Sequence, residues 1–151
     1  MKVTKTMVVA AALGLACASP LYAADNMAKD QGKSEKQRIE ADAKAAKAKC
    51  KDMKGNEKDL CMAEAKGQEK VAKAELAAKQ KDTPKNRYDV AAAKADAAHD
   101  VAREKCDEMK GKDKEACQKD AKNARATAKK QAKAERESAE PKKSGKAKKD
   151  A

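Results

Sequence analysis

Aromatic residues are almost absent from this sequence. Its 151 residues include no phenylalanine, no tryptophan and only two tyrosines, Tyr22 and Tyr88, and most of its hydrophobic 40% is alanine. Alanine buries little apolar area, so this composition cannot form the single large core of an ordinary globular domain. The chain also lacks the aromatic side chains on which single-stranded nucleic acids stack.

Residue patterns that carry catalysis or bind metals are missing as well. Zinc sites favour two to four residues between paired ligands, whereas the paired cysteines here have ten residues between them. Thiol–disulfide enzymes use closely spaced CxxC pairs, which this sequence lacks. His99 is the sole histidine and falls on an alanine-rich helical seam, where packing explains it. We therefore expect no enzyme activity, no metal, no cofactor and no small-molecule substrate.

The first 23 residues have the layout of a secretory signal peptide. Lys2 and Lys5 precede about a dozen apolar residues, and the small residue Ala23 offers a cleavage point. The apolar stretch is shorter than the roughly 18–20 residues that span a membrane. Cleavage near Ala23 predicts a periplasmic or secreted bacterial protein. Lipidation of Cys17 and retention of the segment as an anchor are the alternatives.

Four cysteines remain after cleavage, and they flank two copies of one loop. The copies read CKDMKGNEKDLC from Cys50 to Cys61 and CDEMKGKDKEAC from Cys106 to Cys117, 56 residues further on. Other identities at this offset are mostly alanine and lysine. An even number of cysteines in an exported chain indicates a disulfide framework. The sequence therefore predicts a duplicated unit with two disulfides.

The segments that flank each loop have a helical pattern. Seam residues recur at steps of three and four within Ile39–Met53 and within Tyr88–Met109. Alanine, lysine, glutamate, glutamine and arginine are strong helix formers, and Thr83–Pro84 is a helix-start signal. Four i,i+4 ion pairs are predicted: Glu40–Lys44, Glu69–Lys73, Glu75–Lys79 and Glu115–Lys119. The pattern predicts an all-α chain with helices at 34–54, 57–81, 84–110 and 113–138.

Turn and cap residues divide these helices into two antiparallel hairpins. Gly55 and Gly111 are predicted to stop the first helix of each hairpin. Ser34, Asn56 and Asp113 are predicted to cap helix starts. The chain then divides into a flexible segment at 24–33, hairpin repeats at 34–81 and 84–138, and a disordered basic tail at 139–151. The expected architecture is an elongated or loose bundle of two tandem hairpins.

Antiparallel packing brings the cysteines of each loop together. Packed helices lie about 8–10 Å apart, and subtracting two Cα radii of about 2.3 Å leaves a separation that a disulfide can bridge. We therefore predict the bridges Cys50–Cys61 and Cys106–Cys117. In the alternative, each cysteine pair shares one face of an unbroken helix, and two such helices are cross-bridged. Gly55 and Gly111, midway between the cysteines, argue against unbroken helices.

The positive charge is concentrated in the C-terminal tail. The chain carries a formal net charge of +12, and most helical lysines alternate with carboxylates. Five tail lysines face only Glu140 and Asp150: Lys142, Lys143, Lys146, Lys148 and Lys149. Such a tail binds polyanions in general. A signal peptide makes cytosolic DNA a poor partner, so the expected ligands are lipopolysaccharide, anionic lipid or extracellular nucleic acid.

The stretches IEADAKAAKAK at 39–49 and AKKQAKAERE at 128–137 resemble the long central helical region of TolA-like bacterial cell-envelope proteins. The resemblance is one of composition and covers about residues 34–138. It implies a helical protein of the cell envelope. TolA also has a retained membrane anchor and a globular C-terminal domain, from which this chain departs, so the envelope-spanning role is not carried over.

Two functions follow as expectations. The first is an exported, non-enzymatic helical protein that acts as a structural or interaction module of the cell envelope. Its partner would be an envelope protein or an anionic envelope polymer, and self-association is left open. The alternative is a polyanion-binding protein that uses its lysine-rich tail and helix faces.

Overall fold

The chain folds as four α-helices that alternate in direction. The computed structural model describes residues 20–140, with side chains from residue 30 onward. Within that range the helices are α1 (Pro20–Lys49), α2 (Gly55–Gln80), α3 (Pro84–Cys106) and α4 (Gly111–Ala139), without any strand. The predicted all-α class and its two disulfide-stapled hairpins, α1–α2 and α3–α4, are confirmed. The predicted signal peptide falls almost wholly outside the described residues.

Helix α1 is longer than the sequence predicted. It begins at Pro20, whereas we predicted a flexible segment at 24–33 and a helix start capped by Ser34. Packing against α2 explains part of the difference, because Gly32 is buried and a Cβ placed there would clash with the side chain of Gln80. The first hairpin therefore extends well beyond Ser34, which lies inside the helix.

The chain leaves the helical path earlier in each cysteine turn than predicted. Helices α1 and α3 end at Lys49 and Cys106, not at residues 54 and 110. The chain then tightens into turns in which a backbone N–H bonds three residues back, as from Met53 to Cys50 at 3.3 Å and from Met109 to Cys106 at 3.0 Å. The direction of the chain thus reverses ahead of the two glycines, so the prediction that Gly55 and Gly111 stop the first helices is wrong.

The glycines of the two turns begin the second helices. Gly55 and Gly111 have φ angles of 58° and 56°, in the left-handed region that favours glycine. The residues before them, Lys54 and Lys110, occupy the N-cap positions and make no side-chain capping bond. The predicted capping by Asn56 and Asp113 is wrong, because the glycines shift both residues into the helix.

The connection between the hairpins is built from side-chain hydrogen bonds. As predicted, Thr83 caps α3 by accepting a bond from the N–H of Asn86 at 3.1 Å, with Pro84 at the first helical position. The Asn86 amide donates to the carbonyls of Ala77 and Lys81 at the end of α2. These bonds tie the end of α2 to the start of α3 across three residues.

The helices form a single open layer. In the described part of the chain, α2 packs against α1 and α3, and α4 packs against α3, while α1 contacts neither α3 nor α4. Because neighbouring helices alternate in direction, both cysteine turns lie at the same end of the layer. We predicted an elongated or loose bundle, and the four described helices form an open row and not a closed bundle.

Small residues make up the contacts between the helices. The buried apolar residues are Ala43, Cys50, Ala63, Ala65, Ala92, Ala95, Cys106, Ala121 and Ala132. Gly67 lets α2 approach α3 closely, since a Cβ at this position would lie 2.8 Å from the Cβ of Ala97. The layer is thus held by close helix contacts along alanine seams and by its disulfides. None of its described helices is long and apolar enough to cross a membrane.

Candidate functional site

The repeated loops form two stapled tips at one end of the layer. The bridges Cys50–Cys61 and Cys106–Cys117 are present as predicted, each with 5.6 Å between its Cα atoms. Cys50 and Cys106 are fully buried. The alternative in which two unbroken helices are cross-bridged is wrong. Each staple closes a loop of about a dozen residues, which contributes roughly 3 kcal/mol by restricting the unfolded chain.

A methionine is exposed at the same place in both tips. Met53 is 40% and Met109 is 45% exposed. The cysteines of the loop motif form the bridges, and its glycine begins the second helix of each hairpin. Nothing in the fold explains why a methionine occupies this position in both copies.

One face of the layer carries two shallow apolar grooves. The first lies between α1 and α2 beside Met53, and the second lies between α2 and α3 beside Val71 and Val101. Glu64 and Gln68 line both grooves, so both open on the same side of α2. We call this side the apolar-groove face. It offers docking area but no enclosed cavity.

Ion pairs between helices mark the opposite side, which we call the charged face. Glu69 of α2 accepts hydrogen bonds from Lys47 of α1 at 2.5 Å and from Lys73 at 2.6 Å. These bonds, from Lys47 first and then Lys73, lower the pKa of Glu69 to about 2. The predicted Glu69–Lys73 pair is confirmed. On the apolar-groove face, Glu75 pairs with Lys94 of α3 at 2.8 Å and not with Lys79, because the neighbouring helix lies within reach.

The second hairpin has a related ion pair. Asp96 of α3 contacts Arg125 at 2.5 Å and Lys129 at 3.2 Å, both on α4. Burial alone would raise the pKa of Asp96, but the bonds from these two cations outweigh it and lower the pKa. Asp96 and Lys129 correspond by the 56-residue repeat to Glu40 and Lys73, which pair at 3.8 Å. The repeat therefore preserves an interhelical ion pair.

The middle of α4 is a basic stretch that we did not single out from the sequence. Between Ala121 and Ala134 it contains five cations and no acidic residue. They are Lys122, Arg125, Lys129, Lys130 and Lys133. These five cations are visible in the sequence, but we assigned polyanion binding by residue to the five lysines of the C-terminal tail. Those tail lysines lie outside the described residues.

His99 lies where the second hairpin packs, as its place on the seam indicated. Its side chain is only 10% exposed, and its Nδ1 lies 3.4 Å from the carboxylate of Asp100. It borders a groove between α3 and α4 that Arg103, Lys119 and Lys122 also line. The described residues contain no cluster of three or more histidine, cysteine or acidic side chains suited to a metal ion.

Comparisons with known proteins add no relative. The chain matches no protein-family model, no curated protein and no solved structure. The resemblance to TolA-like proteins therefore remains a hypothesis from composition.

Proposed function

We propose that this chain is an exported, non-enzymatic helical protein that acts as a structural or interaction module of the cell envelope. The open layer is the observation that carries this proposal. Both broad faces of the row are exposed to solvent, and the apolar-groove face presents two adjacent grooves around α2. Such a surface suits contact with another protein better than it suits chemistry on an enclosed substrate.

The two disulfides support the exported part of the proposal. Disulfides persist in oxidising compartments, and an elongated layer without a large core depends on them. If residues 1–23 are a cleaved signal peptide, the intact mass of the protein from a periplasmic fraction should match a chain that begins near Ala24 or Asp25. A mass that includes residues 1–23, or one that carries lipid on Cys17, would refute simple cleavage.

Site-specific photo-crosslinking in cells tests the interaction module directly. Gln68 and Lys66 are both exposed on α2 and lie about 200° apart around the helix axis, so they point to opposite faces of the layer. A photoreactive residue at Gln68 should give a discrete crosslinked product, and the same residue at Lys66 should not. The absence of a discrete product at both positions would argue against a docking face.

Polyanion binding is the second candidate function, and the basic stretch of α4 supports it. This stretch contains five cations and no acidic residue, and it precedes the tail lysines. Arg125 and Lys129 pair with Asp96, and Lys133 pairs with Glu137, so Lys122 and Lys130 carry the surplus charge of the stretch. Attraction of this kind weakens with salt, because exposed charges are screened beyond about 8–10 Å at physiological ionic strength. Its ligands would be lipopolysaccharide, anionic lipid or extracellular nucleic acid.

Titration of the mature protein with lipopolysaccharide or anionic vesicles tests this second function. Binding should be measured at low and high salt, with and without residues 140–151. We expect binding at low salt, weaker binding at high salt and a further loss when the tail is removed. Binding that is absent at low salt, or that changes neither with salt nor with removal of the tail, would exclude this function. Protein partners would then be the remaining candidates.

A further inference from the structure

A groove on the charged face of the second hairpin collects cations. It lies between α3 and α4, near the Cys106–Cys117 staple, and has a volume of about 470 Å³. Six residues line it: His99, Arg103, Glu115, Gln118, Lys119 and Lys122. Three of them are cations and one is a carboxylate. We call it the α3–α4 groove.

The cations of the α3–α4 groove have no partner of opposite charge at bonding distance. No carboxylate among the described residues lies within 4.0 Å of their charged groups. In the first hairpin, Lys47 occupies the place of Arg103 and pairs with Glu69 at 2.5 Å. The second hairpin has Arg125 where the first has Glu69, so the matching acid is gone.

Nearby acids are engaged with other cations. Asp100, next to His99 on α3, pairs with Lys70 of α2 at 3.5 Å. Asp107 at the tip pairs with Lys114 at 2.8 Å and accepts a hydrogen bond from the Gln118 amide at 3.2 Å. Their charges are partly balanced by these partners, which leaves Glu115 as the acid within the groove itself.

The hairpin fold does not require the polar residues of this groove. The first hairpin forms the same stapled pair of helices with apolar residues at three of the equivalent positions. Ala43, Met62 and Ala63 stand there in place of His99, Gln118 and Lys119. All three differences make the second hairpin more polar, and the lysine adds a charge. The hairpin fold therefore leaves these three positions available for a role in binding.

We infer that the α3–α4 groove binds a phosphate group. The Arg103 guanidinium can donate two parallel hydrogen bonds to phosphate oxygens, and the two lysine ammonium groups supply charge from α4. The Gln118 amide already donates one N–H to Asp107, and its second N–H can donate to the phosphate. A phosphate group has more acceptor oxygens and more negative charge than a carboxylate, which matches this number of donors. The phosphate can belong to a lipid headgroup or be free in solution.

This inference rests on polyanion binding as the second candidate function and names the chemical group that would be recognised. His99 makes it directly measurable, because the only histidine of the chain gives a single set of imidazole NMR signals. Titration of the mature, disulfide-bonded protein with inorganic phosphate should shift these signals with saturation. Sodium chloride at the same ionic strength should not produce that shift.

Two double variants distinguish phosphate binding in the groove from nonspecific attraction to positive charge. Lys119→Ala with Lys122→Ala removes two cations of the α3–α4 groove, and we expect it to weaken phosphate binding at least tenfold. Lys44→Ala with Lys66→Ala removes the same charge from exposed positions of the first hairpin. This control should change binding less than threefold. Both variants place alanine at exposed helix positions, where it favours the helix.

Vesicles distinguish the two sources of the phosphate. If a lipid headgroup is the ligand, phosphatidylcholine vesicles that contain phosphatidic acid should bind the protein. The Lys119→Ala, Lys122→Ala variant should then bind these vesicles more weakly. If the protein binds inorganic phosphate but not these vesicles, the groove binds free phosphate, and anionic lipid is excluded as a ligand while the groove is retained.

Two results would overturn the inference. One is a His99 signal that does not respond to phosphate with saturation, and the other is an equal loss of binding in both double variants. Polyanion binding would survive either result if vesicle binding still fell with salt and with removal of residues 140–151. The failure of the groove and the failure of the second function are therefore distinguishable.

Discussion

Helices α2 and α4 occupy the same place in the two repeats but have different surroundings. Helix α2 lies between α1 and α3 and buries Ala63, Ala65 and Gly67. Helix α4 lies at the edge of the layer, packs only on α3 among the described helices, and buries Ala121 and Ala132. The inner helix has five basic and five acidic residues, whereas the outer helix has nine basic and five acidic residues.

The difference shows that the number of neighbours decides which parts of the repeat stay alike. The tips are the same in both hairpins, because each must close one disulfide around one left-handed glycine. The helix surfaces differ. Ala63 and Gly67 face close neighbours, and their counterparts at the edge are the exposed residues Lys119 and Asn123. An edge position leaves room for charge.

The largest effect should come from removing one staple at a time. Replacing Cys50 and Cys61 by serine, or Cys106 and Cys117 by serine, should lower the free energy of unfolding by about 3 kcal/mol each. Amide hydrogen exchange should then increase mainly in the edge helix of the affected hairpin, α1 or α4. Helix α2 should stay protected because α3 still holds it. Equal exchange in α2 and α1 after loss of the first staple would contradict the open layer.

The turn glycines should respond equally in the two hairpins. Replacing Gly55 or Gly111 by alanine forces a side chain into the left-handed region, which costs about 1–2 kcal/mol. No heavy atom lies within 4 Å of a Cβ at either position, so backbone strain is the whole cost. Urea denaturation should give the same loss for both variants. A loss in only one hairpin would show that the tips are not equivalent.

Gly67 and Asn123 should respond in opposite directions to the same substitution. At Gly67 an added Cβ meets Ala97, whose short side chain cannot turn away, so α2 and α3 must separate. Overpacking costs about 1–3 kcal/mol, which exceeds the gain of about 1 kcal/mol in helix propensity. We therefore expect Gly67→Ala to lower the unfolding free energy and Asn123→Ala to raise it slightly. If Gly67→Ala raised the unfolding free energy, α2 and α3 would have to be further apart than in this structure.

Acid should weaken the interhelical ion pairs. Its effect on stability should be the smallest of the four effects predicted here. The pKa of Glu69 in the folded protein is about 2, below its ordinary 4.5. The pairing therefore stabilises the fold above pH 4.5, and this contribution is lost as the pH falls toward 2. We expect less than about 1 kcal/mol, since the pairs are partly exposed. Glu69→Gln should flatten the fall in melting temperature over this pH range; an unchanged fall would rule out this pairing as its source.

Local features were predictable because they depend on neighbours in the chain. The spacing of Cys50 and Cys61 around a glycine predicted the staple, and Thr83–Pro84 predicted the start of α3. Both follow from rules that act within about a dozen residues. The length of α1 was missed, because the contact of Gly32 with Gln80 joins residues far apart in the sequence.

The open layer and its ion pairs could not be predicted in the same way. Alanine seams predict that neighbouring helices pack together. They do not determine whether α1 also packs against α4 to form a closed bundle. Glu75 had a lysine one turn away as well as Lys94 on α3, and the fold selected Lys94. The α3–α4 groove likewise appears only when His99 and Lys119 are brought together from two helices.

The distance between α1 and α4 tests the open layer most directly. Spin labels on non-native residues at Lys44 and Asn123 would leave the disulfides intact, and both positions are exposed and lie six residues from the staple of their own hairpin. Three successive helix spacings of about 8–10 Å place the two helices about 24–30 Å apart. Pulsed electron paramagnetic resonance should give a distance near that range. A distance near 10 Å, as between adjacent helices, would mean that the four helices close into a bundle and would contradict the account.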